Sequence, residues 1–472
     1  MSAEISSMYI RGKAALAVNK PVEPVPPGWA WVLLSDIARQ ETGHTPSRSH
    51  PEWWGGDVPW IGIRDAGLHH GGVIYETLQT TNHLGLANSS ARLLPKGTVC
   101  LSRTASVGYV TIMGRDMATS QDFATWTCSD ALLPEFLLKA LMAEGENLRK
   151  FGKGTTHTTI YFPEIRALHI CLPPFAEQKR IVAKLDALNA KSARARTELA
   201  RIETLVARYK QAVLSKAFSG ELTKDWRNGR TGLVEWRTLP LDQLVADGPT
   251  NGWSPKADGA SSGLKSLKLS ATSSGKLRLD AETIKYLNQN IAGNSKYWLL
   301  PNDILIQRAN SLELLGTTVL FDGPPREFIY PDLMMRIRAD DAKANPVYLA
   351  TYLNSDPARS YFRAHATGTA GNMPKINGAV VRGTRIPTPP LAEQHEIVRR
   401  IESAFARIDR LAAQAKRALE LVGKLDEAIL AKAFRGELVP QDDSDEPAEK
   451  LLERIRAERA AAPKVKRSRG RG

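Results

Sequence analysis

PPFAEQKRIV at Pro173 to Val182 returns as PPLAEQHEIV at Pro389 to Val398, and KAFSGEL at Lys216 to Leu222 returns as KAFRGEL at Lys432 to Leu438. Both offsets are 216, and residues 173–222 align with 389–438 without a gap at 20 identities in 50. A duplication of this length sets the architecture before any motif is weighed. Upstream the likeness weakens. LLPKGTVCLSRTASVGYVTI (Leu93 to Ile112) is echoed by LLPNDILIQRANSLELLGTTVLF (Leu299 to Phe321), and GTTHTTIYFPEIRALHICLPP (Gly154 to Pro174) matches GTAGNMPKINGAVVRGTRIPTPP (Gly368 to Pro390) only with a two-residue gap. The order is globular, helical, globular, helical.

The repeated segments read as helices because their apolar residues step alternately by four and three, the spacing of a coiled-coil seam. In the first copy the seam is Ile181, Leu185, Leu188, Ser192, Ala195, Leu199, Ile202, Val206, Tyr209 and Val213. In the second it is Ile397, Ile401, Ala404, Ile408, Leu411, Ala415, Ala418, Val422, Leu425 and Ile429. Pro173 and Pro174 open the first helix and Gly220 closes it; Pro389, Pro390 and Gly436 do the same for the second. At about 1.5 Å per residue each rod is roughly 65–70 Å long. An antiparallel pairing in which positions sum to 610 sets Ser192 opposite Ala418, Leu199 opposite Leu411 and Ile202 opposite Ile408, with slips of seven left open. In the competing reading each helix packs on its own globular block.

The blocks between the helices carry short β-branched runs such as GTVCLS, VGYVTI, DILIQR and TTVLFD, bounded by turn formers. The fold class expected is α+β: two β-rich globular domains alternating with two long helices that pair as an antiparallel coiled coil, a pseudo-two-fold tandem repeat. The divisions are a leader at 1–27, a first domain at 28–172, a first helix at 173–227, a second domain at 228–388, a second helix at 389–440 and a tail at 441–472. The tail has an acidic cap, a short helix and a basic end whose last ten residues are expected to be disordered.

The 472 residues are 42% hydrophobic and 24% charged, values of an ordinary globular chain, which excludes a wholly disordered protein. Sixty-four Lys and Arg against fifty Asp and Glu leave +14, which suits a polyanionic partner. The excess sits mainly at 173–227 (+6) and 228–388 (+5), while 28–172 carries −1, so the charge permits DNA binding without assigning it to both domains. Three cysteines without a C-x-x-C pair (Cys100, Cys128, Cys171) argue against a disulfide framework or a cysteine zinc site. Neither a signal peptide nor an apolar run of about 18 residues is present, so a cytoplasmic protein with no membrane partner is expected. No P-loop, G-x-S-x-G elbow or H-E-x-x-H occurs, so no catalytic residue and no metal ligand is assigned. LPPF at Leu172 and TPPL at Thr388 look like the (N/D)PP(Y/F) loop of adenine methyltransferases but lack the Asn or Asp that would bond the flipped base.

Taken together, the chain resembles the specificity subunit of Type I restriction-modification enzymes over nearly its whole length. The resemblance rests on PPxAEQ, the long helix, KAFxGEL, GELTKDWR, PPGWAWVLLSDIA (Pro26 to Ala38), GHTPSRSHPEWWGGDVPWI (Gly43 to Ile61), ASVGYVTI (Ala105 to Ile112) and DEPAEKLLERIRAERA. It implies two target-recognition domains, each reading half of a split double-stranded DNA site, and a coiled coil that sets the gap. It implies partners: two methyltransferase (modification) subunits and restriction (motor-nuclease) subunits, which would carry S-adenosylmethionine, ATP and magnesium, leaving this chain non-catalytic and without a cofactor of its own. A module of a methylation-only complex and a coiled-coil adaptor for proteins are the alternatives.

Base readout needs donors and acceptors on elements that reach a groove. The candidates are Arg103, Thr104, Ser106, Gln121 and His157 in the first domain, and Arg308, Asn310, Ser311, Asn372 and Lys375 in the second. Arg103 and Arg308 lead, because they hold corresponding places after a strand. Trp53, Trp54 and Trp60 are read first as core aromatics and second as stacking platforms for unpaired bases. Glu177, Gln178, Glu393 and Gln394 are read first as caps of the helix starts and second as partner-docking groups. Leu185, Leu199, Ile202, Val206, Ile401, Ile408, Leu411 and Leu425 are the seam residues expected to be buried.

Overall fold

The computed structural model describes residues 15–18, 21, 24–104, 106–149, 159–228, 235–255, 262–368 and 373–461. The leader before residue 15, His157, Asn372 and the last ten residues lie outside them. The chain forms two compact units, one from residues 1–198 and 417–472, the other from 199–416. Each unit takes half of both long helices, which run Phe175–Phe218 and Leu391–Phe434, 44 residues each. The diproline before each helix presets the entry, and Gly220 (φ +80°) and Gly436 (φ +70°) supply the left-handed residue just beyond each end.

The first unit holds a five-stranded sheet in the order Ala38–Thr42, Phe123–Cys128, Val99–Ser102, Val110–Met113, Val73–Ile74. The second holds a four-stranded sheet in the order Val245–Asn251, Met334–Ala339, Ile304–Gln307, Thr318–Leu320. The first four strands correspond one to one. So do two smaller sheets. Leu168–Leu172 pairs antiparallel with Ala30–Leu33 as Arg385–Thr388 does with Arg237–Pro240. Trp54–Ile61 lies parallel to Ala118–Thr119 as Leu264–Leu267 does to Phe328–Ile329. The weak sequence echo upstream of the helices is thus a full duplication of an α+β domain.

Within the first unit the opening half of the first helix runs beside the closing half of the second. Ile181 and Leu185 share a core with Ile429 and Phe434, and Arg196 pairs with Asp426 at 2.6 Å. In the second unit Ala217 shares a core with Ile397 and Ile401, and Lys210 pairs with Asp409 at 2.5 Å. The pairing is antiparallel in both.

Two expectations are corrected. Leu411 (61% exposed) and Leu425 (54%) lie outside the seam, as does Tyr209, and the neighbouring Ala412, Asp426 and Lys210 turn inward instead. At each of these places a step of four precedes the step of three where the strict pattern has three before four, so the exchange is local and Ala415, Ile429 and Val213 beyond it keep their places on the buried face. The other seam residues named above are buried or half-buried.

Candidate nucleic-acid interface

The repeated AEQ triplet fixes each long helix to its globular domain. The Gln178 carboxamide accepts from Leu133 N (2.8 Å) and donates to Ala131 O (2.9 Å) and Pro173 O (3.1 Å). Gln394 makes the same three bonds, to Asn345 N (2.8 Å), Lys343 O (3.1 Å) and Pro389 O (3.0 Å). Glu177 accepts from the Trp29 indole and Glu393 from the Trp236 indole, both at 3.0 Å. All four side chains are buried. The capping reading is therefore corrected: these groups satisfy backbone and indole donors of the adjoining domain, which burial obliges to be paired.

The two carboxylates differ in their second oxygen. Glu393 Oε1 accepts from the Thr223 hydroxyl (2.7 Å) and from the Arg227 guanidinium, both in the GELTKDWR segment. The matching positions after the second helix are Val439 and Asp443, which offer nothing of the kind, and Glu177 Oε1 is buried with no hydrogen-bond partner. Burial pushes the Glu177 carboxyl up from its ordinary range against the pull of Trp29 and Arg180.

At one end of each main sheet an arginine gathers three loops. Arg103 follows the strand Val99–Ser102; its backbone N donates to Asp122 O (2.8 Å), its carbonyl accepts from Ile160 N (2.8 Å), and its guanidinium reaches Gln121 O (3.0 Å) and stacks on Phe162 (4.5 Å). Arg308 follows Ile304–Gln307 and repeats the pattern with Leu333 O (2.9 Å), Ile376 N (2.9 Å) and Asp332 O (3.3 Å). In both arginines Nε is buried without a hydrogen-bond partner. Burial lowers the proton affinity of Arg103, and the Asp122 carboxylate opposes that. The pair thus brackets loops first and offers its remaining N–H donors second.

The candidates collect around these brackets. Ser106 N bonds Thr104 O (2.8 Å) in the loop beside Arg103, and Gln121 lies on the loop the guanidinium holds. Asn310 donates to Gln307 Oε1 (2.7 Å) and its side-chain oxygen accepts from Ser311 N (2.8 Å), while Lys375 forms a bridge with Ala309. Each set is built wholly within one unit. Trp60 is a core residue, Trp54 meets it edge-on at 5.2 Å, and Trp53 stacks on His50 at 4.1 Å.

Sequence comparison at a single offset misses one element. Gly43-His44-Thr45-Pro46 and Gly252-Trp253-Ser254-Pro255 form a G-x-[ST]-P loop 209 residues apart. His44 N donates to Thr119 O and Trp253 N to Tyr330 O, both at 2.9 Å. A Cβ on Gly43 would lie 1.9 Å from Thr119 O, and one on Gly252 2.2 Å from Tyr330 O, so only glycine lets the loop settle there. Thr45 Oγ1 then donates to Gln121 Oε1 (2.7 Å) and Ser254 Oγ to Asp332 Oδ1 (2.6 Å), at the residue each arginine bracket holds.

A family model described as the Type I restriction modification DNA specificity domain matches residues 26–204 and 270–421. The chain belongs to that family. As a specificity-domain chain it is 34% identical over 312 residues to the Type I restriction enzyme EcoKI specificity subunit of Escherichia coli K12, covering 64% of this chain and 66% of that one. It is 30% identical over 364 residues to the EcoDI specificity subunit of Escherichia coli, covering 71% and 79%. The fold matches the crystal structure of the HsdS subunit from Thermoanaerobacter tengcongensis with a TM-score of 0.60 at 21% identity, over 88% of this chain and 99% of that one. The two matched regions of the specificity-domain chain contain one arginine bracket each.

Proposed function

We propose that this protein is the non-catalytic DNA-reading subunit of a cytoplasmic Type I restriction-modification complex. It would read a bipartite double-stranded site, one half per globular domain, across a gap set by the paired helices. Two methyltransferase subunits would dock on it and modify one adenine on each strand, and restriction subunits would join to cleave unmodified DNA. S-adenosylmethionine, ATP and magnesium would be held by those partners. One observation carries the reading: the same loop cluster, with an arginine bracket and a hydroxyl from G-x-[ST]-P, is built twice, once in each domain. Two equivalent readers with different side chains suit two different half-sites. Long-read mapping of adenine methylation in the source genome, with and without the gene, tests it. Loss of one bipartite motif is the expected outcome; an unchanged methylation pattern in cells that express the full complex contradicts it.

A further inference from the structure

The loop Gly43–Trp54 of the first domain carries an exposed arginine outside the candidate set above. The Arg48 guanidinium lies over the Trp54 ring at 3.9 Å from its centroid and 5.5 Å from that of Trp60. One of its N–H groups donates to Gln79 Oε1 at 2.8 Å. Its other donors have no protein partner among the described residues. The loop beneath it is pinned by Trp60 Nε1 to His44 O (3.2 Å), Trp54 Nε1 to Ser47 O (3.3 Å) and the Gly43 contact on the strand Ala118–Thr119. A cleft of about 500 Å³ beside it is lined by Trp60, Arg64, Asp65, Gln79, Ser120 and Asp122. The acids in that cleft are already engaged: Asp65 accepts from Gly62 N (3.0 Å) and Leu78 N (2.7 Å), and Asp122 from the Ser120 hydroxyl (2.9 Å). Beside these engaged acids, Arg48 adds N–H donors that face outward.

We propose that Arg48 is a specificity-determining residue of the first domain, contacting a base edge, with guanine the fitting partner, in the half-site that domain reads. This rests on the DNA-reading function proposed above and names a residue within it. A guanidinium matches the O6 and N7 acceptors of guanine with two parallel in-plane bonds while its face stays stacked on Trp54, a combination that a lysine ammonium does not reproduce. A freely rotating arginine gives up rotamer freedom on binding, whereas stacking on Trp54 and the bond to Gln79 have already fixed this one. Its place fits as well. Thr45, three residues before it, bonds Gln121, whose carbonyl the Arg103 guanidinium holds, so the loop and the candidate cluster form one continuous surface.

The test compares wild type, Arg48→Lys and Arg48→Ala, each expressed with the methyltransferase subunit of its source organism's Type I system in a host lacking adenine methylation, followed by long-read mapping. Wild type should give one bipartite motif. Both variants should relax a single G·C position in one half-site, with discrimination there falling by roughly 5- to 150-fold. The other half-site and the gap should stay the same. The relaxed half-site should be the one that changes when residues 28–172 are exchanged for those of a relative. Retention of the full motif by Arg48→Lys overturns the proposal, since charge alone then suffices. So does methylation that is weaker at every site with an unchanged motif, the signature of a phosphate contact. Thermal melting of each purified complex separates lost reading from lost folding, and if Arg48→Ala does not fold the lysine variant alone decides. Absence of any bipartite motif in the wild-type cells would instead remove the function on which the inference stands.

Discussion

Glu177 and Glu393 occupy the same place in two copies of one motif, and their neighbours make them respond differently to the same change. Glu393 is fully buried and faces Arg227, Thr223 and Trp236. Glu393→Gln leaves the guanidinium without its carboxylate and should destabilise the folded chain by about 3 kcal/mol, the low end for breaking a buried pair because Arg227 is partly exposed. Glu177→Gln keeps an acceptor for Trp29 while removing a charge whose second oxygen has no partner, so stability at neutral pH should hold or rise by about 1 kcal/mol. The pH dependence has a definite sign. Burial raises the Glu177 carboxyl above its unfolded value near 4.5, so the folded chain binds that proton more tightly. The resulting stabilisation is complete below 4.5 and is lost as the pH climbs through the folded value. Melting temperature against pH checks this. The gap between Glu177→Gln and wild type should move in favour of the variant as the pH rises, and a constant gap would show that Glu177 does not titrate differently on folding.

Along the long helices, packing separates leucines that the sequence pattern treats alike. Leu185 is fully buried in the core of the first unit, while Leu425 is 54% exposed. Leu185→Ala should cost about 2–5 kcal/mol and Leu425→Ala should fall within about 0.5 kcal/mol of wild type, as measured by denaturant unfolding. A large cost at Leu425 would restore the strict heptad seam. The helices themselves were legible because a four-three spacing repeated over ten positions is a local signal, and the diproline and glycine at their ends are local too. Which of two neighbouring residues fills a seam position was not, since a one-residue exchange is smaller than the width of an apolar stripe. The work of AEQ was hidden for a different reason: Trp29 is 148 residues from Glu177, and Leu133 is 45 from Gln178. Buried pairing across such distances is a property of the fold. The brackets at Arg103 and Arg308 were marked by their common place after a strand, yet Gly43-x-Thr45-Pro46 and its partner escaped, being four residues long and 209 apart where the helices repeat at 216.

Across the whole chain, each candidate cluster is confined to one compact unit, and the long helices are elements that both units share. That division assigns separate tasks. Exchanging residues 28–172 for those of a relative should change one half-site and leave the other, as read by methylation mapping; a change in both would show that the two domains do not read independently. The helices should govern spacing instead of sequence. Four residues are the whole number nearest to a 3.6-residue turn, so inserting four into the first helix near its midpoint keeps the following residues close to their original face. The insertion lengthens that helix by about 6 Å, and base pairs rise by about 3.4 Å, so the gap between half-sites should grow by about two base pairs while both half-sites persist. The added turn removes no residue from the seam cores at Leu185 and at Ala217, and because the second helix keeps its length, the gap grows only if one helix pairing slips by about a turn. An unchanged gap would mean that the DNA, and not the helix pair, absorbs the extra length. Altered half-sites would mean that helix length reaches into the recognition loops, which the confinement of each arginine bracket to a single unit argues against.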